Sequence, residues 1–239
     1  MSGYPKARHA ATVVLLRPQH PEGFEVFLTR RPRAMDFLGG AYVFPGGSVR
    51  DEDGAERILK RCHGLSPQHA RTILRTELSP ELSLAHWVAG IRELFEEAGV
   101  LLCVAESGAP VDTNQDGLRE RWSGKRLQLI DGSLAFLALL ESEGLLCDAA
   151  SLRYFSHWRT PEEFATRFDT RFYLAALPAG QQPLSTSEEV AHSLWVTPDE
   201  ALRLCESGEL PMIFPTFSAL RTLADFDSLE RLFAEYRVC

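Results

Sequence analysis

The chain has 239 residues, 45% of them hydrophobic and 24% charged, enough for one sizeable domain carrying insertions. Twenty-five Lys and Arg against 33 Asp and Glu leave a net charge of −8, which speaks against a broad nucleic-acid footprint and leaves room for a local basic pocket. Apolar runs such as residues 134–140 are too short to span a bilayer, and the first residues lack the apolar stretch of a signal peptide, so a cytoplasmic protein with no membrane partner is expected. The five cysteines (Cys62, Cys103, Cys147, Cys205 and Cys239) are odd in number, widely spaced and contain no C-x-x-C pair; neither a disulfide scaffold nor a zinc site is expected.

Residues 10–17 and 24–30 read as two strands, rich in apolar and β-branched side chains and separated by a turn-forming Pro-Gln-His-Pro-Glu-Gly link. A short apolar run at 41–44 ends at Pro45-Gly46-Gly47. From 48 to 83 the composition turns to mixed charge, with helical stretches near 55–62 and 67–77; this segment is too short to bury a core of its own and reads as an insertion. Residues 84–98 carry the clearest helical period, with Ile91, Leu94, Phe95 and Ala98 at i, i+3, i+4 and i+7 and Gly99 as the stop. A strand follows at 101–104, helices at 116–129 and 133–142, strands at 172–177 and 192–196, and a helix opening at Thr197-Pro198. Two further helical stretches close the chain. Strands and helices interleave, so the class is α/β or α+β.

The chemistry concentrates in Arg92-Glu93-Leu94-Phe95-Glu96-Glu97-Ala98-Gly99-Val100. On a helix Glu93 and Glu97 lie about 40° apart, opposite the apolar stripe, with Glu96 flanking them. The plain alternative is a solvated face. Yet like charges at i, i+4 cost roughly 0.2–0.5 kcal/mol unless a cation lies between them, and a hard divalent ion would turn that repulsion into binding. Arg92, at i, i+4 to Glu96, is placed to orient that carboxylate. Upstream, Gly46 and Gly47 leave room for backbone groups to approach a metal or phosphate closely.

These residues resemble the Nudix hydrolases, whose signature is G-x5-E-x7-R-E-U-x-E-E-x-G-U with U a bulky aliphatic. Arg92, Glu93, Leu94, Glu96, Glu97, Gly99 and Val100 match its second half. Its first half is met by Gly47, but Asp53 stands where Glu is usual, and residues 54–91 replace the seven-residue spacer. The segments Tyr154-Phe155-Ser156-His157-Trp158-Arg159-Thr160-Pro161 and Arg167-Phe168-Asp169-Thr170-Arg171-Phe172-Tyr173-Leu174 are similar to a Nudix branch with this interruption, which includes a peroxisomal coenzyme A diphosphatase and bacterial relatives. Glu188-Glu189, Leu194-Trp195-Val196 and the run from Thr197 to Leu202 match the same branch.

The resemblance implies a single domain over residues 1–239: an α/β/α sandwich with a mixed sheet, a helical insertion at about 54–83 and a C-terminal helical extension at about 215–239. It implies hydrolysis of a diphosphate bond in a small nucleotide-derived substrate, with Mg²⁺ or Mn²⁺ held by Glu93, Glu96 and Glu97 and the Gly46 or Gly47 carbonyl as a further ligand. Glu97 or Glu189 is the candidate general base, with Glu188 behind it; a polar turn before a strand is the competing reading for the latter two. A separate coenzyme A signature in this superfamily is kept in spacing from Phe27 to Gly47 but departs at Phe27, Pro32 and Asp36. Arg30 and Arg31, with Gly46, remain the candidate substrate contacts, against a reading of the arginines as solvated strand ends.

Coenzyme A or acyl-coenzyme A leads as substrate, NADH or ADP-ribose following. The competing function is a catalytically silent Nudix-fold nucleotide-binding module; the three intact glutamates weigh against it. The insertion is either a lid that selects the substrate or a surface or dimer-forming decoration, and a homodimer is compatible with the resemblance. Arg237-Val238-Cys239 is not a peroxisomal address, in keeping with the cytoplasmic expectation.

Overall fold

In the computed structural model the described residues are 5–19, 21–34, 38–113, 118–184 and 190–237. The first strand, β1 (Arg8–Pro18), is the centre of the molecule, and Val13 to Leu16 are wholly buried. Its side chains alternate between two cores, as the period of two requires: Ala11, Val13 and Leu15 enter one, Val14 and Leu16 the other. On one side β1 pairs antiparallel with β2 (Phe24–Arg30), which also pairs with the short β3 (Tyr42–Val43). The next strand, β4 (Gly46–Ser48), pairs with the N-terminal part of β1, Thr12 opposite Gly46 and Ala10 opposite Ser48.

Residues 49–79, which form most of the insertion, hold a 3₁₀ turn (Asp51–Gly54), α1 (Glu56–Leu59), the two-residue β5 (Cys62–His63) and α2 (Pro67–Leu74). Ile58, Ala70 and Leu74 from this segment join the same core as Leu84 and Trp87, so it folds onto the domain and not beside it. It runs into α3 (Pro80–Ala98), four residues longer at its start than the periodicity indicates. Ser79 caps that start by accepting from the Leu82 amide, Pro80 fits the first turn, and Gly99 ends the helix with φ 70°.

Beyond α3 come β6 (Cys103–Ala105), α4 (Leu118–Ile130), α5 (Phe136–Glu143) and β7 (Leu145–Asp148), then β8 (Arg153–Arg159), β9 (Phe168–Ala176) and β10 (His192–Val196). β9 returns parallel to β1, from Arg8 beside Phe168 to Leu16 beside Ala176, and β8 pairs antiparallel with β9. The main sheet therefore runs β10-β2-β1-β9-β8 and is mixed; β5, β7 and β6 make a second, small sheet. The periodicity misses β7 and β8. Leu145-Leu146-Cys147-Asp148 is too short to display alternation, and β8 carries charged or aromatic side chains at most positions.

α3 covers one face of the main sheet, and α6 (Pro198–Glu206), α7 (Phe214–Leu223) and α8 (Leu229–Glu235) cover the other. The C-terminal helices are thus one layer of the α/β/α sandwich. No helix among the described residues is long and apolar enough to cross a membrane.

Candidate functional site

The acidic segment of α3 corrects one expectation. Glu93, Glu96 and Glu97 do not look out on solvent opposite an apolar stripe; they are 7%, 6% and 8% exposed, and every residue from Ser83 to Ala98 is buried. The helix is enclosed because the insertion, the main sheet and α4 wrap it, with Trp87 on Tyr173 and Phe95 edge-on to Trp122. Three carboxylates can be buried only with partners.

Arg92 supplies most of that partnership, although it is itself 2% exposed. Its Nε and Nη2 donate to the two oxygens of Asp53, each at 2.9 Å; Nη2 also donates to the Ser48 carbonyl at 2.9 Å. Nη1 donates to Glu93 at 2.5 Å and to Glu96 at 3.2 Å. Five N–H groups meet five acceptors, the full capacity of a guanidinium. Burial by itself would lower the Arg92 pKa, but Asp53, Glu93 and Glu96 more than offset it, and the net shift is upward.

Asp53 is placed by the 3₁₀ turn, where it also accepts from the Arg50 amide at 2.8 Å. The residue that departs from the family's usual Glu therefore reaches the motif arginine all the same, across the 38 residues of 54–91. Arg50 closes the arrangement from the solvent side, donating to both oxygens of Glu96 at 3.1 and 2.9 Å. Glu96 is thus gripped by two guanidinium groups. Arg50 escapes the sequence reading because no element of the motif falls three residues after Gly47.

The two glycines are explained by close approach. A Cβ on Gly46 would lie 2.4 Å from the Ala11 carbonyl oxygen, and one on Gly47 would lie 2.6 Å from the Glu93 carboxylate. The Gly46 amide donates to Glu97 at 3.2 Å. Glu93 and Glu97 thus face the β4 backbone, one helical turn apart. The Glu93 pKa is raised, chiefly by burial and against the pull of Arg92, so its charge is incompletely compensated by the protein.

Among the described residues no three acidic, histidine or cysteine side chains are gathered as a ready metal cage. The donors nevertheless suit a hard divalent cation: two carboxylates on one helix face, the two glycines of β4 opposite, and a buried negative charge that a cation would relieve.

The other expected site residues fall elsewhere. Glu188 and Glu189 lie outside the described residues, as does Asp36. Arg30 ends β2, where its Nε donates to the Gly40 carbonyl at 3.2 Å and its guanidinium lies over Tyr42. Arg31 exchanges backbone hydrogen bonds with Gly40 and Ala41 in the same neighbourhood.

The cysteines hold a further surprise for the sequence reading. Cys62 on β5 is in register with Cys147 on β7, and Cys103 on β6 is in register with the same Cys147, so three thiols form one row across the small sheet, all unoxidised.

Residues 7–223 match the family model described as the NUDT19 Nudix domain. The chain is 31% identical to an acyl-coenzyme A diphosphatase NUDT19 of Gallus gallus over 95% of its own length and 71% of that protein. It is 30% identical to the Homo sapiens protein of the same name, over 90% of this chain and 64% of that one. The chain therefore spans about two thirds of the length of these curated relatives. A crystal structure of a NUDIX hydrolase from Alicyclobacillus acidocaldarius superposes with a TM-score of 0.81 at 28% identity, covering 98% of both chains.

Proposed function

The chain belongs to the NUDT19 Nudix domain family, a family of Nudix diphosphohydrolases, and from that premise we propose that it hydrolyses the diphosphate bond of coenzyme A-type substrates, acyl-coenzyme A first among them. The observation that carries this reading is the acidic constellation itself: all three motif glutamates are present and buried, Glu93 and Glu96 held by Arg92 and Arg50 and Glu97 by the Gly46 amide, beside the two glycines of β4. A binding module that had given up catalysis would have no need to keep three costly buried carboxylates.

Nudix hydrolases generally use divalent metals. Here Glu93 and Glu97 would hold Mg²⁺ or Mn²⁺, with the Gly47 carbonyl beside them. A bound cation of this kind lowers the pKa of a coordinated water and screens the charge of the diphosphate. Arg92 fixes the rotamer of Glu93 through its 2.5 Å contact, and the Gly46 amide fixes that of Glu97. Glu96, with guanidinium donors on both oxygens, serves mainly to hold Arg50 and Arg92 in place and would reach the metal only through water. The proton released as water attacks phosphorus passes to Glu97 or to Glu189, and the second phosphate departs with its organic group. Arg30, Arg31 and Gly46 stay candidates for contact with the substrate. Residence in the cytoplasm and a homodimeric state complete the proposal.

The test is a mass-spectrometric hydrolysis panel of acetyl-coenzyme A, coenzyme A, NADH and ADP-ribose, with Mg²⁺ and then Mn²⁺, beside a Glu97→Gln control. Conversion of coenzyme A to 3′,5′-ADP and phosphopantetheine, lost in the control, supports the proposal. Cleavage of NADH or ADP-ribose alone discards the coenzyme A reading and keeps the chemistry. No cleavage under either metal favours the binding module. In the same assay Glu189→Gln is expected to lower kcat by at least about 10²-fold if Glu189 is the base; an unchanged rate assigns the proton to another group.

A further inference from the structure

Beside the acidic cluster of α3, between the start of β1 and the first turn of α3, lies a cleft of about 560 Å³. Lys6, Arg8 and His9 line it from the β1 side, Arg50 from the exit of β4, and Ser79 and Leu82 from α3. Arg50 belongs to both places: its side chain walls the cleft while its guanidinium rests on Glu96. Along α3, Ala85 in the cleft and Glu93 in the cluster are eight residues apart, roughly 12 Å. One nucleotide can bridge that distance.

The neighbourhood is basic beyond the lining itself. The parallel register sets His9 beside Asp169 and Ala11 beside Arg171, and the β8–β9 register sets His157 opposite Arg171 and Arg159 opposite Asp169. Asp169, the carboxylate of this group, is already engaged by Arg171 and by His157 Nε2 at 2.7 Å. Asp51 and Glu81 line the cleft as its two acidic residues. The His9 pKa is lowered, first by burial and then by Arg171, Lys6, Arg159 and His157, which reports a positive field at this spot.

Polar capacity is also left over behind the cleft; of His9, His86 and Tyr173 only His9 reaches its lining, and His86 and Tyr173 are buried in the core. His86 is fully buried, with its ring edge-on to His9 at 5.2 Å. Its Nδ1 is 2.7 Å from the Leu82 carbonyl and so carries the proton, leaving Nε2 unpaired; His9 Nδ1 and the Tyr173 hydroxyl are buried without partners as well. Unpaired buried polar atoms in a native structure call for a ligand or ordered water. Nε2 of the neutral His86 ring is an acceptor and suits an ordered water; the anion preference of the cleft comes from Lys6, Arg8 and Arg50 in its lining.

We propose that this cleft is a second phosphate subsite, which holds a phosphomonoester of the substrate while the site at the acidic cluster holds its diphosphate. The inference rests on the reading of the chain as a hydrolase of coenzyme A-type substrates and sharpens it. Coenzyme A carries a 3′-phosphate on its adenosine; NADH and ADP-ribose have none. The far end of the insertion, through Ser79 and Leu82, would then act in substrate choice.

The experiment compares kcat/KM for coenzyme A and 3′-dephospho-coenzyme A in the wild type and in a Lys6→Ala/Arg8→Ala variant. Both side chains are exposed, so the fold should survive the change, and a thermal melt verifies this. The wild type is expected to prefer the 3′-phosphorylated substrate at least about 10-fold, mainly through KM, and the variant's preference to fall towards one. Equal kcat/KM for both substrates in the wild type, or an equal loss on both in the variant, overturns the subsite while leaving the hydrolase reading intact. If neither substrate is cleaved, the hydrolase reading falls, and calorimetric titration with adenosine 3′,5′-bisphosphate and with AMP decides the subsite separately. Tighter binding of the bisphosphate, lost in the variant, supports it; equal affinities overturn it.

Discussion

Asp53 and Arg92, thirty-nine positions apart in the chain, meet as a two-point buried ion pair with both contacts at 2.9 Å. The pair closes the loop formed by the insertion and locks the turn after β4 onto the acidic helix. Its geometry ties Ser48, Glu93 and Glu96 to one guanidinium, so damage to the pair should spread to the whole cluster.

Asp53→Asn keeps the size of the side chain and removes its charge, leaving Arg92 incompletely matched. Breaking a buried pair from one side costs about 3–5 kcal/mol. For a chain of this size each kcal/mol corresponds to roughly 2–4 °C in Tm, so a fall of roughly 6–20 °C is expected in calorimetry. A melt within a degree or two of the wild type would show that the pair is not structural.

Gly47→Ala is expected to act on the site with little effect elsewhere. The added methyl would lie 2.6 Å from the Glu93 carboxylate, inside contact distance, and the carboxylate must turn away from β4. Activity should fall at least about 10-fold, and the Mg²⁺ concentration giving half-maximal rate should rise, while Tm moves little. Wild-type metal dependence in the variant would separate Glu93 from the metal.

Much of this was legible because it is local. The run from Arg92 to Val100 fits inside one helix, and helical period places its glutamates correctly relative to one another. Their burial was not legible: periodicity counts a glutamate as a solvent-facing residue, and only the tertiary approach of Arg50, Asp53 and β4 offsets that cost. Asp53 could be read as a deviation from a pattern, yet its partner could not be read across 38 intervening residues. The basic cleft is harder still. His9, His86 and Arg171 come from three elements joined by the β1–β9 register and the packing of α3, and the local signal is no more than the alternation of Asp169, Arg171 and Tyr173 on one face.

The row of three cysteines leads to an expectation about reactivity. The Cys62 thiol is pushed up by its hydrogen bond with Cys147 and then by burial; the Cys147 thiol is pushed up by its bond with Cys103 and by burial, against a downward pull from Cys62. At Cys62 and Cys147 the thiol, not the thiolate, therefore persists at neutral pH, and both should resist alkylation. Among the four described cysteines, timed iodoacetamide labelling read by mass spectrometry should modify the half-buried Cys205 first, and Cys147 only with unfolding. Early labelling of Cys147 would mean that the small sheet opens readily in the native state.

His86 sets an expectation for acid stability. Burial, opposed in part by the Leu82 carbonyl and assisted by Arg171, His9 and His157, lowers its pKa to about 3. The side chain has an ordinary value near 6.5 in the unfolded chain. Between those limits the unfolded state binds the extra proton. Stability is therefore fully present above about pH 6.5 and drains away as pH falls towards 3, by a total on the order of 4 kcal/mol. The groups facing His86 are His9 from β1, Arg171 from β9 and His157 from β8; the His9 and His157 pKa values are lowered as well, so their protonation adds to the same slope. Urea midpoints measured from pH 7.5 to 4 should fall in the wild type, and His86→Gln, though less stable at pH 7.5, should show a shallower decline. Parallel slopes in the two proteins would take the acid sensitivity away from His86 and leave it with His9 and His157.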